Sequence, residues 1–205
     1  LHGATLIERR APTVVMGACH VVPPAGGFLQ ATEAGEQALA DLAKAACAGA
    51  KRIADLFCGC GAFALRLMRG AEIHAADSDP DAVAALARAA RIPGARRADA
   101  EARDLFRRPL SSSELATFDA LVFDPPRAGA EAQAREIAAS AVATVVAVSC
   151  HPGTFARDAR LLVEGGYALE AVTPVDQFRH SAHVELVATF RKARPPARRR
   201  GLLSR

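Results

Sequence analysis

A single thiol sits at the end of an apolar run. Residues Thr144–Val148 read T-V-V-A-V and stop abruptly at Ser149-Cys150-His151-Pro152-Gly153, after which an amphipathic helical pattern begins. A β-branched run of this kind is the pattern of a parallel strand buried on both faces, and the Pro-Gly pair forces a turn. Ligands of open α/β sheets lie beyond the carboxyl ends of the strands. Cys150 is therefore aimed at the crevice where chemistry would occur, and it is the first candidate nucleophile. Other strand-end residues have the chemistry to bind. The loop D-L-F-C-G-C-G closes an earlier apolar run, and Gly59 and Gly61 would let a ligand approach the backbone closely. Asp77 ends the next run, where a carboxylate could accept both hydroxyls of a ribose, and Asp99 follows a weaker third run, where it could hold an adenine amine. Each has a plainer alternative: Asp77 or Asp79 as a helix cap, Asp99 as a surface acid, Cys150 as a small buried hydrophobe.

Positioning these residues requires alternating strands and helices. Strands are predicted at Arg52–Phe57, Glu72–Ala76, Ala95–Ala98, Phe118–Phe123 and Thr144–Val148. Helices are predicted after four of them, at 62–69, 81–91, 130–141 and 154–164, the last stopping at Gly165-Gly166. That alternation implies βαβ units and a parallel sheet. Two final strands, Tyr167–Pro174 and His183–Phe190, are predicted to pair as an antiparallel hairpin at one edge. Before the sheet, Thr32–Gly49 reads as a helix with Thr32 as N-cap and Gly49 as C-cap. Residues 1–27 carry a strand-like piece, Thr13–Val22, expected to be the remnant of a preceding domain or an edge hairpin. Residues 28–190 then form the catalytic domain.

The 205 residues are 51% hydrophobic and 23% charged, a globular composition. No apolar run is long enough to span a membrane, and no signal-peptide pattern opens the chain. The five cysteines show neither C-x-x-C spacing nor a disulfide framework, which points to a reducing, cytoplasmic setting. Seven basic side chains and no acid fall in residues 191–205, a tail expected to be disordered or to bind phosphate. Cys58 and Cys60 read as loop packing. His180 and His183 lack the partner ligands of a zinc site, so no metal is expected. A monomer is the default expectation.

Five parallel strands followed by a β-hairpin is the plan of S-adenosylmethionine methyltransferases, and the glycine loop fails the G-x-G-x-x-G pattern of a nicotinamide domain. The expected fold is a Rossmann-like class I methyltransferase: α/β, with a mostly parallel seven-stranded sheet ending in an antiparallel hairpin. Four stretches carry a more specific likeness: F-L-Q at 28–30, D-P-P-R at 124–127, S-C-H-P-G-T-F-A-R-D at 149–158 and D-Q-F-R-H-S-A-H-V-E at 176–185. In order and spacing they resemble the RNA uridine-5-carbon methyltransferases, which modify ribosomal and transfer RNA. The resemblance implies Cys150 as the nucleophile that adds to carbon 6 of uracil, Glu185 as the base that removes the carbon-5 proton, and Asp124 as a hydrogen-bond partner of the uracil edge beside the cofactor. It implies S-adenosyl-L-methionine as cofactor, held by Gln30, Phe57, Gly59, Gly61, Asp77, Asp99 and Asp124. It also implies RNA as partner, ribosomal RNA first and transfer RNA second, with the target base flipped from its stack.

The chain departs from the family pattern at three positions where Asn is usual: Thr32 ends F-L-Q-A-T, Ala62 follows the glycine loop and His151 follows the nucleophile. The cysteine spacing does not fit an iron–sulfur cluster, and the RNA-binding half such enzymes usually carry is not recognisable. A reactive Cys150 needs a lowered thiol pKa, for which the start of the following helix or His151 is the expected source. The rival readings are an RNA cytosine-5-carbon methyltransferase, which usually places Cys directly after the fourth-strand Asp-x-Pro; an amino methyltransferase, which places an aromatic residue where Arg127 stands; and a silent RNA-binding remnant.

Overall fold

The computed structural model describes residues 9–178 and 180–193. Its elements in chain order are β1 (Val14–Met16), β2 (Cys19–Val21), α1 (Glu33–Ala46), β3 (Arg52–Leu56), α2 (Ala64–Leu67), β4 (Glu72–Asp77), α3 (Pro80–Ala89), β5 (Ala98–Ala102), α4 (Ser112–Leu115), β6 (Ala120–Phe123), α5 (Glu131–Ala139), β7 (Thr144–Ser149), α6 (Pro152–Glu164), β8 (Tyr167–Val175) and β9 (Glu185–Lys192). Seven strands form one sheet in the order β5-β4-β3-β6-β7-β9-β8. All neighbours are parallel except β9, which pairs antiparallel with β7 and β8. The predicted class I methyltransferase sheet and its terminal hairpin are both present, with β9 lying between β7 and β8.

Burial explains the central strands. Every residue of β6 and β7 is buried, as is all of β3 after Arg52, so apolar runs suit both faces. Alternate side chains feed two cores. One face carries Ile53, Ile73, Val122, Val146 and Val187, packed with Leu39, Leu65, Met68 and Leu86 from α1, α2 and α3. The other carries Leu56, Leu121, Phe123, Val145 and Phe190, packed with Leu115, Ile137 and Leu162. Strand order reverses at β3, whose neighbours are β4 on one side and β6 on the other. A crevice opens at such a reversal, above the carboxyl ends of the strands.

The helix starts follow local chemistry. The Thr32 hydroxyl accepts from Gly35 N at 3.0 Å at the head of α1, and Asp79 caps α3, with Pro80 in its first turn. A capping box of Ser111 and Glu114 starts α4, a four-residue helix that the hydropathy pattern does not reveal.

Several expectations need correction. The third strand is Ala98–Ala102, not 95–98. Its A-D-A-E-A sequence has little β propensity, and pairing with β4 creates it. The glycine loop does not run straight into a helix: turns occupy the residues up to Phe63, and α2 is only four residues long. Residues 14–21 form a two-stranded sheet of their own rather than an edge of the main one, and Met16, Cys19 and Val21 are buried in the first core. Arg191 and Lys192, expected in the basic tail, are residues of β9. Lys192 Nζ donates to Ala138 O at 2.9 Å and Gly165 O at 2.8 Å. The remaining basic residues of that tail, Arg194 to Arg205, lie outside the described residues.

Candidate active site

One cavity of about 470 Å³ lies at the strand reversal. Its wall contains Gln30, Phe57, Gly59, Asp77, Asp124, Cys150 and Glu185, so seven of the nine candidate residues share one space. Asp124 follows β6, Cys150 follows β7, and Glu185 opens β9. Pairing of Ser149 with Leu186 sets the thiol and the last carboxyl side by side across the β7–β9 ladder.

The other two candidates are corrected. Gly61 is absent from the wall; a Cβ there would lie 2.9 Å from Leu65 Cγ and 3.0 Å from Leu86 Cγ, so this glycine serves packing beneath the loop. Asp99 sits one residue into β5, opposite His74 and three residues short of the strand end. It is exposed, with Arg97 Nε 2.8 Å from its carboxylate. Its side chain belongs to the surface, as the plainer reading had it.

Beside the glycine loop, Phe57 leaves β3 with φ 62°, the one positive φ outside glycine among the described residues, a strained conformation of the kind found at functional sites. Its ring packs on Phe106 at 5.4 Å between centroids. Phe106 is a wall residue that sequence reading missed, since a lone loop aromatic carries no pattern. Gly59 has φ 51°, and a Cβ there would meet nothing within 4 Å, so the loop presents bare backbone to the cavity. Asp77 holds that loop: Oδ2 accepts from Gly59 N and Oδ1 from Asp79 N, both at 2.9 Å. Each oxygen keeps a second acceptor position. Asp55, also missed, braces the loop from below: Oδ2 accepts from Ala64 N at 2.8 Å, while Oδ1 is buried without a partner.

The wall holds five carboxyls (Glu36, Asp77, Asp79, Asp124, Glu185) against one arginine, Arg127. A nucleoside carrying a sulfonium fits this donor set: aromatic faces for the base, a strand-end carboxylate for the ribose, open glycine backbone, and negative charge for the cation. Among the described residues, no three His, Cys, Asp or Glu side chains cluster as a metal site, and no helix is long and apolar enough to cross a membrane. Cys58 and Cys60 are buried beside Gly59. His180 and His183 are exposed outside the cavity, with His183 against the Phe178 ring.

Around the thiol, burial and then Glu185 raise Asp124 to about 7, and burial raises Glu185. Asp55 is pushed up to about 8 by burial, reinforced by Asp124 and Asp77. The Cys150 thiol is raised by burial first, then by Glu185 and Asp124, with Arg127 pulling the other way. The shift is therefore opposite to the expected lowering. His151 is engaged at the helix start: its Nδ1 accepts from Thr154 N at 3.2 Å, making it the N-cap of α6. An acceptor at that position is what the helix start requires, which accounts for His where Asn is usual.

Together the sheet order, the strand-reversal cavity and the glycine loop define the class: this is a class I methyltransferase fold. Within that class its relatives are RNA methyltransferases. No protein-family model matches the chain. A protein of Mesorhizobium japonicum named an RNA methyltransferase is 55% identical over 197 residues, which is 96% of this chain and 47% of that protein. The 23S rRNA (uracil(1939)-C(5))-methyltransferase of Chromohalobacter salexigens is 40% identical over 151 residues, 73% of this chain and 31% of that enzyme. Among solved structures, the tRNA (uracil-54, C5)-methyltransferase of Pyrococcus abyssi, in complex with S-adenosyl-L-homocysteine, superposes with a TM-score of 0.73 at 27% identity over 87% of this chain and 44% of that one. The chain spans about half the length of the curated relatives it matches. The resemblance drawn from the four sequence stretches is borne out by these similarities.

Proposed function

We propose that this chain is the catalytic part of an S-adenosylmethionine-dependent RNA methyltransferase that acts on carbon 5 of a uridine through a covalent cysteine adduct. The observation that carries the reading is that Cys150, Asp124 and Glu185 line the same cavity as Gly59, Asp77 and Phe57. Asp77, the Gly59 backbone and the Phe57–Phe106 wall would hold S-adenosylmethionine, which would supply an electrophilic methyl group.

The remaining work falls to the protein. Carbon 5 of uracil is a poor nucleophile until a group adds to carbon 6. Cys150, as thiolate, forms the sulfur–carbon bond, and the electron pair moves through carbon 5 towards O4. Asp124 holds the uracil edge by a hydrogen bond. Once carbon 5 carries the methyl group, Glu185, in a partly desolvated position suited to taking up a proton, removes the carbon-5 hydrogen. The carbon–sulfur bond then breaks and Cys150 leaves as thiolate.

Ribosomal RNA is the preferred substrate in this reading, supported by the identity to the Chromohalobacter enzyme; transfer RNA is the second choice, supported by the structural likeness. The test is nucleoside analysis after incubation with S-adenosylmethionine and unmodified 23S ribosomal RNA or transfer RNA transcripts. We expect 5-methyluridine from the ribosomal transcript and none with Cys150→Ala. 5-Methylcytidine instead, or product undiminished in Cys150→Ala, contradicts the proposal.

A further inference from the structure

Gln177 has no part in the steps above, yet its side chain is buried next to them. It lies between β8 and β9 and is 8% exposed. Its Nε2 donates to Gln30 Oε1 at 2.9 Å, and Gln30 Nε2 donates in turn to Asp124 Oδ2 at 3.3 Å. Gln177 Oε1, by contrast, is buried without a partner. Leaving an acceptor orphaned costs free energy, and an apolar side chain would avoid that cost. Room for the amide comes from Gly35 in α1, where a Cβ would lie 2.3 Å from Gln177 Oε1 and 2.6 Å from its Cδ. The donor end of Gln177 therefore faces Gln30 at the expense of its own oxygen.

The consequence is directional. A carboxamide can present either its oxygen or its NH2 group to a neighbour. With Gln177 donating to Gln30 Oε1, Gln30 must turn its NH2 group towards Asp124. Asp124 then accepts as a carboxylate, and its second oxygen is left to accept at the cavity. Uracil offers a donor at N3 between two carbonyls, whereas cytosine offers an acceptor at N3 beside an amine. A carboxylate at Asp124 pairs with the first and repels the second. Without the Gln30 NH2 group, Asp124 loses a donor to its carboxylate and takes up a proton more readily; with that proton on the oxygen facing the cavity, Asp124 becomes a donor and suits cytosine. Both forms are accessible near neutrality, because Asp124 is raised to about 7. The other titratable or charged groups around Asp124 are Glu185 from β9, Cys150 after β7, Asp55 from β3 and Arg127 from its own loop. None of them fixes the Gln30 amide.

We propose that Gln177 is a positioning residue that sets the site's preference for uridine over cytidine, by holding Gln30 in the orientation that keeps Asp124 a hydrogen-bond acceptor. The inference rests on the uridine-methylating reading above.

Its test uses 23S ribosomal RNA transcripts labelled with tritium at carbon 5 of either uridine or cytidine, with tritium release in the presence of S-adenosylmethionine as the readout. The wild-type chain should release tritium from the uridine-labelled transcript alone. Gln177→Leu removes the donor, and Gly35→Ala displaces the amide from α1 while improving helix propensity. Both should lower kcat/KM on the uridine transcript roughly tenfold, the scale of one hydrogen bond to a charged group. Both should also move the acid limb of the pH–rate profile up by about one unit and raise release from the cytidine transcript, with S-adenosylhomocysteine binding by calorimetry unchanged. Variants that lose rate but keep the wild-type pH profile and uridine selectivity overturn the relay alone. A wild-type chain that binds S-adenosylhomocysteine yet releases tritium from neither transcript overturns the uridine reading and, with it, the relay.

Discussion

Two buried carboxyls set the protonation behaviour of the folded chain. Asp55 and Asp124 both bind protons more tightly when folded, Asp55 up to about 8 and Asp124 up to about 7, against 3.8 for each outside the fold. Between those limits the folded chain holds more protons than the unfolded one, so stability falls as pH rises through the window. Glu114, lowered to about 2 by Arg103 and Ser111, contributes stability that is lost only in more acid solution. Melting temperatures measured from about pH 5 to about pH 8 should therefore decline, and Asp55→Asn should flatten the decline. A variant curve parallel to wild type would contradict the assignment. Cys150 offers a second test at this scale. It is the only cysteine of the five that is not fully buried, and Glu185 is the largest electrostatic cause holding its thiol up. Mass-mapped iodoacetamide labelling at neutral pH should be slow at Cys150 and several-fold faster in Glu185→Gln, because removing the negative charge favours the thiolate.

At the scale of elements, the loops around the cavity are held by polar clamps rather than by their own sequence. The D-P-P-R loop ends at Ala130, which cannot cap α5. Asp158 of α6 takes that role from outside, accepting from Ala130 N at 2.7 Å, while Arg157 reaches Ala128 O at 3.2 Å. A second clamp joins α5 to the segment before α4: the fully buried Gln133 accepts from Leu110 N at 2.9 Å and donates to Leu110 O at 3.0 Å. Gln133→Leu leaves both backbone groups unpaired in the interior, and urea denaturation should show a loss of about 1–3 kcal/mol. An unchanged midpoint would mean that the segment repacks. These clamps explain what could and could not be read from the residues alone. Strands such as β6 and β7 announce themselves through buried β-branched and aromatic runs. β5, with alternating alanine and acid, owes its form to its neighbour, and its end at Ala102 rather than Ala98 is what misplaced Asp99 at a strand end. The capping box of α4 was legible as S-S-S-E, but four residues without an apolar period are easily passed over.

For the whole molecule, the site is a product of topology. Cys150, Asp124 and Asp77 end three different strands, β7, β6 and β4, and only the strand order brings them round one cavity. Glu185 joins from the antiparallel β9 because that strand inserts beside β7. Chemistry-bearing residues in recognisable stretches were legible. Other residues were not: Asp55, Phe106 and Gln177 carry no signature of their own, since their place comes from what the fold packs against them. The thiol's environment was read with the wrong sign, because the fold buries it and then sets carboxyls distant in sequence beside it.

The covalent adduct is the central claim, and it has a direct measurement: mass spectrometry of the chain mixed with S-adenosylmethionine and ribosomal RNA containing 5-fluorouridine. Fluorine at carbon 5 cannot leave as a proton, so the methylated adduct has no route to release. The account predicts a protein–RNA species whose linkage maps to Cys150 and which is lost in Cys150→Ala. Methylation of ordinary RNA by a protein that forms no such species, or an adduct mapped to another residue, would contradict it.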